Sequence, residues 1–222
     1  MLGMVKQKWN HVLPFIFVAL FALSRWPGLM PWDFSAAYAL VFCVGVYFAR
    51  RMAWWVALGT MVLTDIALNF YWQSKGWDVW TWSVLRYQIA NYVAYTVIIA
   101  LGRRYKPGSS AFSLIGGGIL GAFLFYLITN TASWLFNPFA NPEYSKTIWG
   151  WLTALITGTK GWPQTWEFFR NTLLSGGIFT ALFVAAMKIT APVESPADKV
   201  AGARADEAEP VEGEPAPEEA KA

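Results

Sequence analysis

The sequence predicts an all-α integral membrane protein: a bundle of about six transmembrane helices followed by a polar tail. Three observations carry this. Hydrophobic residues make up 56% and aromatic residues 18% of the 222 positions, above the usual soluble composition. Apolar runs of roughly bilayer-spanning length recur along the chain, flanked by Trp and Tyr, which settle at headgroup level. Charge is also segregated. From Val193 onward lie nine of the 14 acids and three of the 17 bases, so the body keeps five acids and 14 bases, a net of +9. Those bases lie at span ends and form no single stripe, which fits a membrane protein and excludes a nucleic-acid partner.

Taken in order, the first span runs roughly from Trp9 to Leu23. Lys6, Lys8 and the small residues Ala22 and Ser24 also give this stretch the outline of a signal peptide. The segment RWPGLMPWD, Arg25 to Asp33, cannot continue a helix because of its prolines and glycine. A second span, about Ser35 to Phe48, is rich in small residues that let helix backbones approach closely. Its single cysteine, Cys43, permits no intrachain disulfide and reads as a packing residue. Arg50 and Arg51 end it.

The third span, Trp54 to Trp72, carries Asp65 and, one turn on, Asn69. A carboxylate at such a depth costs a few kcal/mol unless it faces a cavity or a partner. The fourth span covers about Ser83 to Leu101 and the fifth about Phe112 to Phe136. Gly117 and Gly121 have GxxxG spacing, the mark of a close helix crossing. Thr147 to Thr157 suggests a short interfacial helix, and the sixth span runs from about Thr165 to Ile189. The domain therefore ends near residue 191. Residues 192–222, rich in Ala, Pro and Glu without an aromatic, read as a disordered tail.

Lys and Arg collect at Lys6, Lys8, Arg50, Arg51, Arg103, Arg104, Lys106 and Lys188, which places both termini in the cytoplasm. With that orientation the polar residues gather in the outer half. Asp65, Asn69, Arg86, Gln88, Asn91, Asn130, Glu167, Arg170 and Asn171 all fall there, and Tyr87, Asn91 and Tyr95 share one helix face. The inner halves, such as SLIGGGILGAF and FTALFVAAM, have almost nothing to solvate an ion. A channel needs polar groups at every depth. The pattern instead describes a cup, open outside and plugged inside. Tryptophans 32, 77, 80, 82, 134 and 149 stand near the outer connections, as anchors or as rings for a flat ligand.

His11, the only histidine, reads as a headgroup contact, and no metal-binding or P-loop motif and no nucleophile elbow occurs. No cofactor is expected, and catalysis is the weaker class.

The segments LSRWPGLMPWDFSAAYALVFCVGVYFARR, LTDIAL, FLFYLITNTASW and FFRNTLLSGGIFTALF resemble those of an uncharacterised family of small bacterial membrane proteins. The architecture resembles the substrate-binding S components of energy-coupling factor (ECF) transporters. That resemblance covers roughly Leu23 to Ile189. It implies a vitamin-like micronutrient as ligand, and docking onto a transmembrane T subunit driven by paired ATPases. One departure is visible: Ala19 and Ala22 are three apart, so the AxxxA docking motif of many S components is missing, and the small-residue face lies on the second span.

The expected function is capture of a small, ring-containing organic solute. Asp65, Asn91, Asn130 and Asn171 would hydrogen-bond it, Arg86 or Arg170 would pair an anionic group, Trp134 would stack on it, and Asn69 and Glu167 belong to the candidate lining. The alternatives are a structural accessory or assembly subunit whose buried polar groups act as interhelical glue, and an intramembrane enzyme acting on lipid.

Overall fold

The computed structural model of the chain describes residues 15–48 and 50–190. Among the described residues there are seven helices and no strand. They are α1 (Phe15–Arg25), α2 (Ala37–Tyr47), α3 (Arg50–Ser74), α4 (Trp82–Gly102), α5 (Ala111–Phe136), α6 (Ile148–Ile156) and α7 (Thr165–Thr190). The start of the first expected span, His11, the signal-peptide outline and the acidic tail with its boundary at 191 lie outside the described residues. By its internal contacts the chain divides after Ala186, and of the second unit only residues 187–190, the end of α7, are described.

Four helices, α3, α4, α5 and α7, are long and apolar enough to cross a membrane. Their limits agree with the expected spans to within about a turn. Large apolar side chains cover their outer faces: Trp55, Leu63, Phe112 and Leu182 are each at least 60% exposed. In water such a surface is a liability, whereas in lipid it is a requirement. Local chemistry sets the helix starts. Thr81, Ser110 and Thr147 cap α4, α5 and α6, each accepting a backbone N–H from three residues on. Asn137 ends α5 in the left-handed conformation, and its amide bonds Asn141 twice.

The second expected span differs. Eleven residues of α2 rise only about 16 Å, half of a hydrocarbon core, and ten of them are buried. The sequence is apolar on every side because α2 is enclosed by other helices, not because it meets lipid. Its small residues are spent on α4. A Cβ on Gly45 would sit 2.6 Å from the Ile99 carbonyl oxygen and 3.1 Å from Gly102 Cα. A Cβ on Gly102 would collide with the Phe42 carbonyl oxygen. The small-residue face noted on this segment is therefore an internal contact and offers nothing to a partner.

The glycines of α5 do the same on two sides. Gly117 lies against the Phe42 and Tyr105 rings and Gly121 against Ile98, as the GxxxG spacing predicts. Gly118 faces Thr180 of α7, and Gly176 of α7 faces Ala122. These contacts, with the fully buried Phe42, Ile98, Ile99, Leu114 and Val184, close the end of the bundle that carries the α2–α3 and α4–α5 turns.

Adding a side chain at Gly118 should therefore break the α5–α7 contact. Gly118→Val is expected to lose about 1–3 kcal/mol, the range for overpacking, seen as a lower unfolding midpoint in detergent. Gly116, with open space where its Cβ would stand, is the control: Gly116→Ala should leave the midpoint unchanged or raise it.

Candidate functional site

The end of the bundle beneath the Trp26–Ser35 connection holds a cavity of about 520 Å³, within the range of small-molecule sites. Its walls come from the end of α1, that connection, Tyr38 of α2, and the nearby parts of α3, α4 and α5. Tyr87, Asn91 and Tyr95 recur every four residues along α4, so one face of that helix supplies all three. Thr129 and Asn130 come from α5.

The Trp26–Ser35 connection bends over the cavity through two residues in the left-handed region, Gly28 at φ 86° and Asp33 at φ 54°. Glycine takes this conformation freely, and aspartate is among the few other residues that tolerate it. Four polar contacts hold the connection in place. Arg25 donates to Asp65 Oδ1 at 2.5 Å and to Thr64 Oγ1 at 2.5 Å. Ser24 and Ser35 join their hydroxyls at 3.1 Å, drawing the two ends of the loop together. Asn171 of α7 donates to the Trp32 carbonyl at 2.9 Å.

An aromatic chain runs around the mouth. Trp26 packs on Tyr71 (5.4 Å), Tyr71 on Trp72 (5.1 Å), Trp72 on Trp77 (6.4 Å), Trp77 on Trp162 (6.3 Å) and Trp162 on Trp32 (5.9 Å). Since Trp26 and Trp32 belong to one connection, the chain closes on itself. It ties together the α1–α2, α3–α4 and α6–α7 connections. Offset and edge-on ring pairs of this kind each add roughly 0.5–1.5 kcal/mol beyond area burial.

Asn91 and Asn130 line the cavity, as their depth and spacing suggest. Asp65 stands beside it, buried, and its cationic partner is Arg25 rather than Arg86. Asn69 is spent in a reciprocal amide pair with Gln88, at 2.7 and 3.3 Å, which ties α3 to α4. Arg86 is half-buried, its Nε without a partner, and it is not part of the cavity wall.

The remaining expected residues lie elsewhere. Trp134 donates to the Ser145 carbonyl at 2.7 Å, carries the Lys146 ammonium over its ring, and lines a shallow groove by α6. Glu167 accepts the Gln164 backbone N–H at the start of α7. Arg170 stacks on Trp166, and Asn171 reaches the cavity only through its hold on Trp32. Of the six outer tryptophans, Trp32 and Trp77 join the aromatic ring, whereas Trp82 and Trp149 are about 70% exposed, at 69% and 73%, in the manner of interfacial anchors.

Arg25, Asp33, Tyr38 and Phe125 are cavity residues that the site expectation lacked. Asp33 is the most informative. Water reaches it through the mouth, yet protein surrounds it, and this desolvation pushes its carboxyl up to about 6. Its carboxylate has no hydrogen-bond or ion-pair partner among the described residues.

The folded chain holds the Asp33 proton more tightly than the unfolded chain does. Its contribution to stability is thus fully present below the ordinary value near 3.8 and is lost as pH rises through about 6. Asp33→Asn, which keeps the left-handed backbone, should unfold at a higher temperature than the parent at pH 7.5, and the two midpoints should converge near pH 4. Removing one partner of the buried Arg25–Asp65 pair strands a charge. Asp65→Ala should cost about 3–5 kcal/mol, and in a double-mutant cycle the Arg25→Ala, Asp65→Ala pair should cost less than the two single changes added together.

Residues 5–197 match the model of a protein family described as a family of unknown function (DUF6580). No curated protein and no solved structure matches the chain.

Proposed function

The chain belongs to the DUF6580 family, and from its geometry we propose that it is a membrane-embedded solute-binding protein, the capture component of a micronutrient uptake system. The observation that supports this reading is the 520 Å³ cavity, walled by aromatic rings with a few convergent polar groups and set against a bundle whose other half is closed by glycine contacts. Such a cup accepts a solute from one side and cannot pass it onward. Onward transport then needs an energised partner, for which the sequence resemblance suggests a transmembrane T subunit with paired ATPases. In this reading α1 and α2 complete a six-helix body in a bacterial inner membrane, with the cavity facing outward and both termini in the cytoplasm.

The accessory-subunit reading draws on the Asn69–Gln88 pair and the Arg25–Asp65 pair, which are interhelical glue whatever else the protein does. It gives no role to a cavity of this size.

Native mass spectrometry of the full chain, extracted from its own membranes, separates the two readings. Solute capture predicts a discrete non-lipid mass on the protein. Asn91→Ala and Asn130→Ala should each lower its affinity up to about tenfold, the loss of one hydrogen bond, without shifting the unfolding midpoint. A chain that carries no solute and emerges in a stoichiometric complex with a non-transport assembly would support the accessory role and overturn this one.

A further inference from the structure

The solute-binding reading leaves the ligand's charge open, and the cavity's own charges address it. Arg25 contributes the cavity's positive charge, and Asp65 neutralises it at 2.5 Å. The arginines expected to receive an anion, Arg86 and Arg170, do not line the cavity. One charge on the wall is left over. Asp33 has no ion-pair partner; among the described residues the single ion pair is Arg25–Asp65. The cavity therefore carries one net negative charge, presented from a loop whose backbone is held left-handed at that residue.

The same cavity is lined by the rings of Trp26, Trp32, Tyr38, Tyr87, Tyr95 and Phe125. The face of an aromatic ring is electron-rich and attracts cations, most strongly where water is excluded. An unpaired carboxylate on the wall of a cavity lined by rings disfavours an anion and complements a cation. Asn91, which makes no hydrogen bond among the described residues, and the free Oδ1 of Asn130, whose Nδ2 is held by the Tyr126 carbonyl, add polar capacity at the α4 and α5 walls.

We propose that the ligand is a small organic cation, a protonated amine or related nitrogen base attached to a ring, and that Asp33 is its counter-ion. This rests on the solute-binding reading and narrows it. The Arg25–Asp65 pair then acts as a self-neutralised support: it fixes the end of α1 without competing for the ligand's charge.

Three probes with one ring and three charges test it. Phenethylamine, 2-phenylethanol and 3-phenylpropionate are titrated calorimetrically into the full chain in detergent at pH 7.5. The amine should bind at least about tenfold more tightly than the alcohol, and the acid more weakly than either. In Asp33→Asn the amine should fall to the level of the alcohol, while the alcohol stays within about twofold of its parent value. Equal binding of all three by the parent chain, or an amine preference that survives in Asp33→Asn, would overturn the cation assignment while leaving solute capture intact. Binding of none of the three would also overturn the assignment, and solute capture would still be decided separately by the mass measured on the native protein.

Discussion

The cavity end of this protein depends on one ion pair. Arg25 ends α1, Asp65 lies well inside α3, and their side chains meet at 2.5 Å with 14% and 7% of their surfaces exposed. In a hydrocarbon setting either charge alone would be expensive, and the pair is tolerated because each neutralises the other. Thr64 takes a second guanidinium donor, and the Phe21 ring lies 5.5 Å from the guanidinium carbon. These contacts fix where the Trp26–Ser35 connection departs from α1. The Ser24–Ser35 and Asn171–Trp32 bonds fix its far end. A segment with two prolines and no regular structure thereby becomes a wall of a cavity and not a loose surface loop.

The two halves of the bundle use opposite means of packing. At the closed end, Gly45 meets Gly102, Gly118 meets Thr180, and Gly176 meets Ala122, so helices approach until backbone touches backbone or small side chain. Lipid tails are as apolar as leucine, so close van der Waals contact is the main force left to hold helices there. At the cavity end large rings pair with one another across helices and connections. A cavity at that end and a seal at the other follow from where the glycines and the tryptophans fall along each helix.

That vertical arrangement was legible in the sequence because depth is a one-dimensional quantity. Hydropathy and tryptophan flanks give span limits, and 1.5 Å per residue converts position to height. Asn91 and Asn130 could be placed from height and helical spacing. Lateral position is a different matter. Nothing in the order of residues says that Arg25, and not Arg86, turns toward Asp65, or that Trp134 and Arg170 face away from the cavity wall. Asp33 escaped for another reason: it sits in a segment without period, where neither face nor depth can be assigned. The apolar run of α2 misled because a helix buried in protein and one buried in lipid have the same composition, and only its eleven-residue length distinguishes it.

Polar groups inside a membrane protein serve either to join helices or to receive a ligand, and their spent bonding capacity tells which. Asn69 and Gln88 exchange donors and acceptors and have little left to offer. Glu167 is occupied by the backbone it caps, and Asn137 is closed onto Asn141. By contrast, among the described residues the Asp33 carboxylate and the Asn91 amide make no hydrogen bond or ion pair. Buried unpartnered atoms also occur away from the cavity, on Tyr47, Arg86 and Thr180, so the want of a partner marks a candidate only where the group also faces a cavity. Asp33 and Asn91 differ from these in lining one cavity whose wall is largely aromatic, and that placement, with the Asn69–Gln88 and Arg25–Asp65 pairs beside it, is the physical ground for treating the cavity as a site.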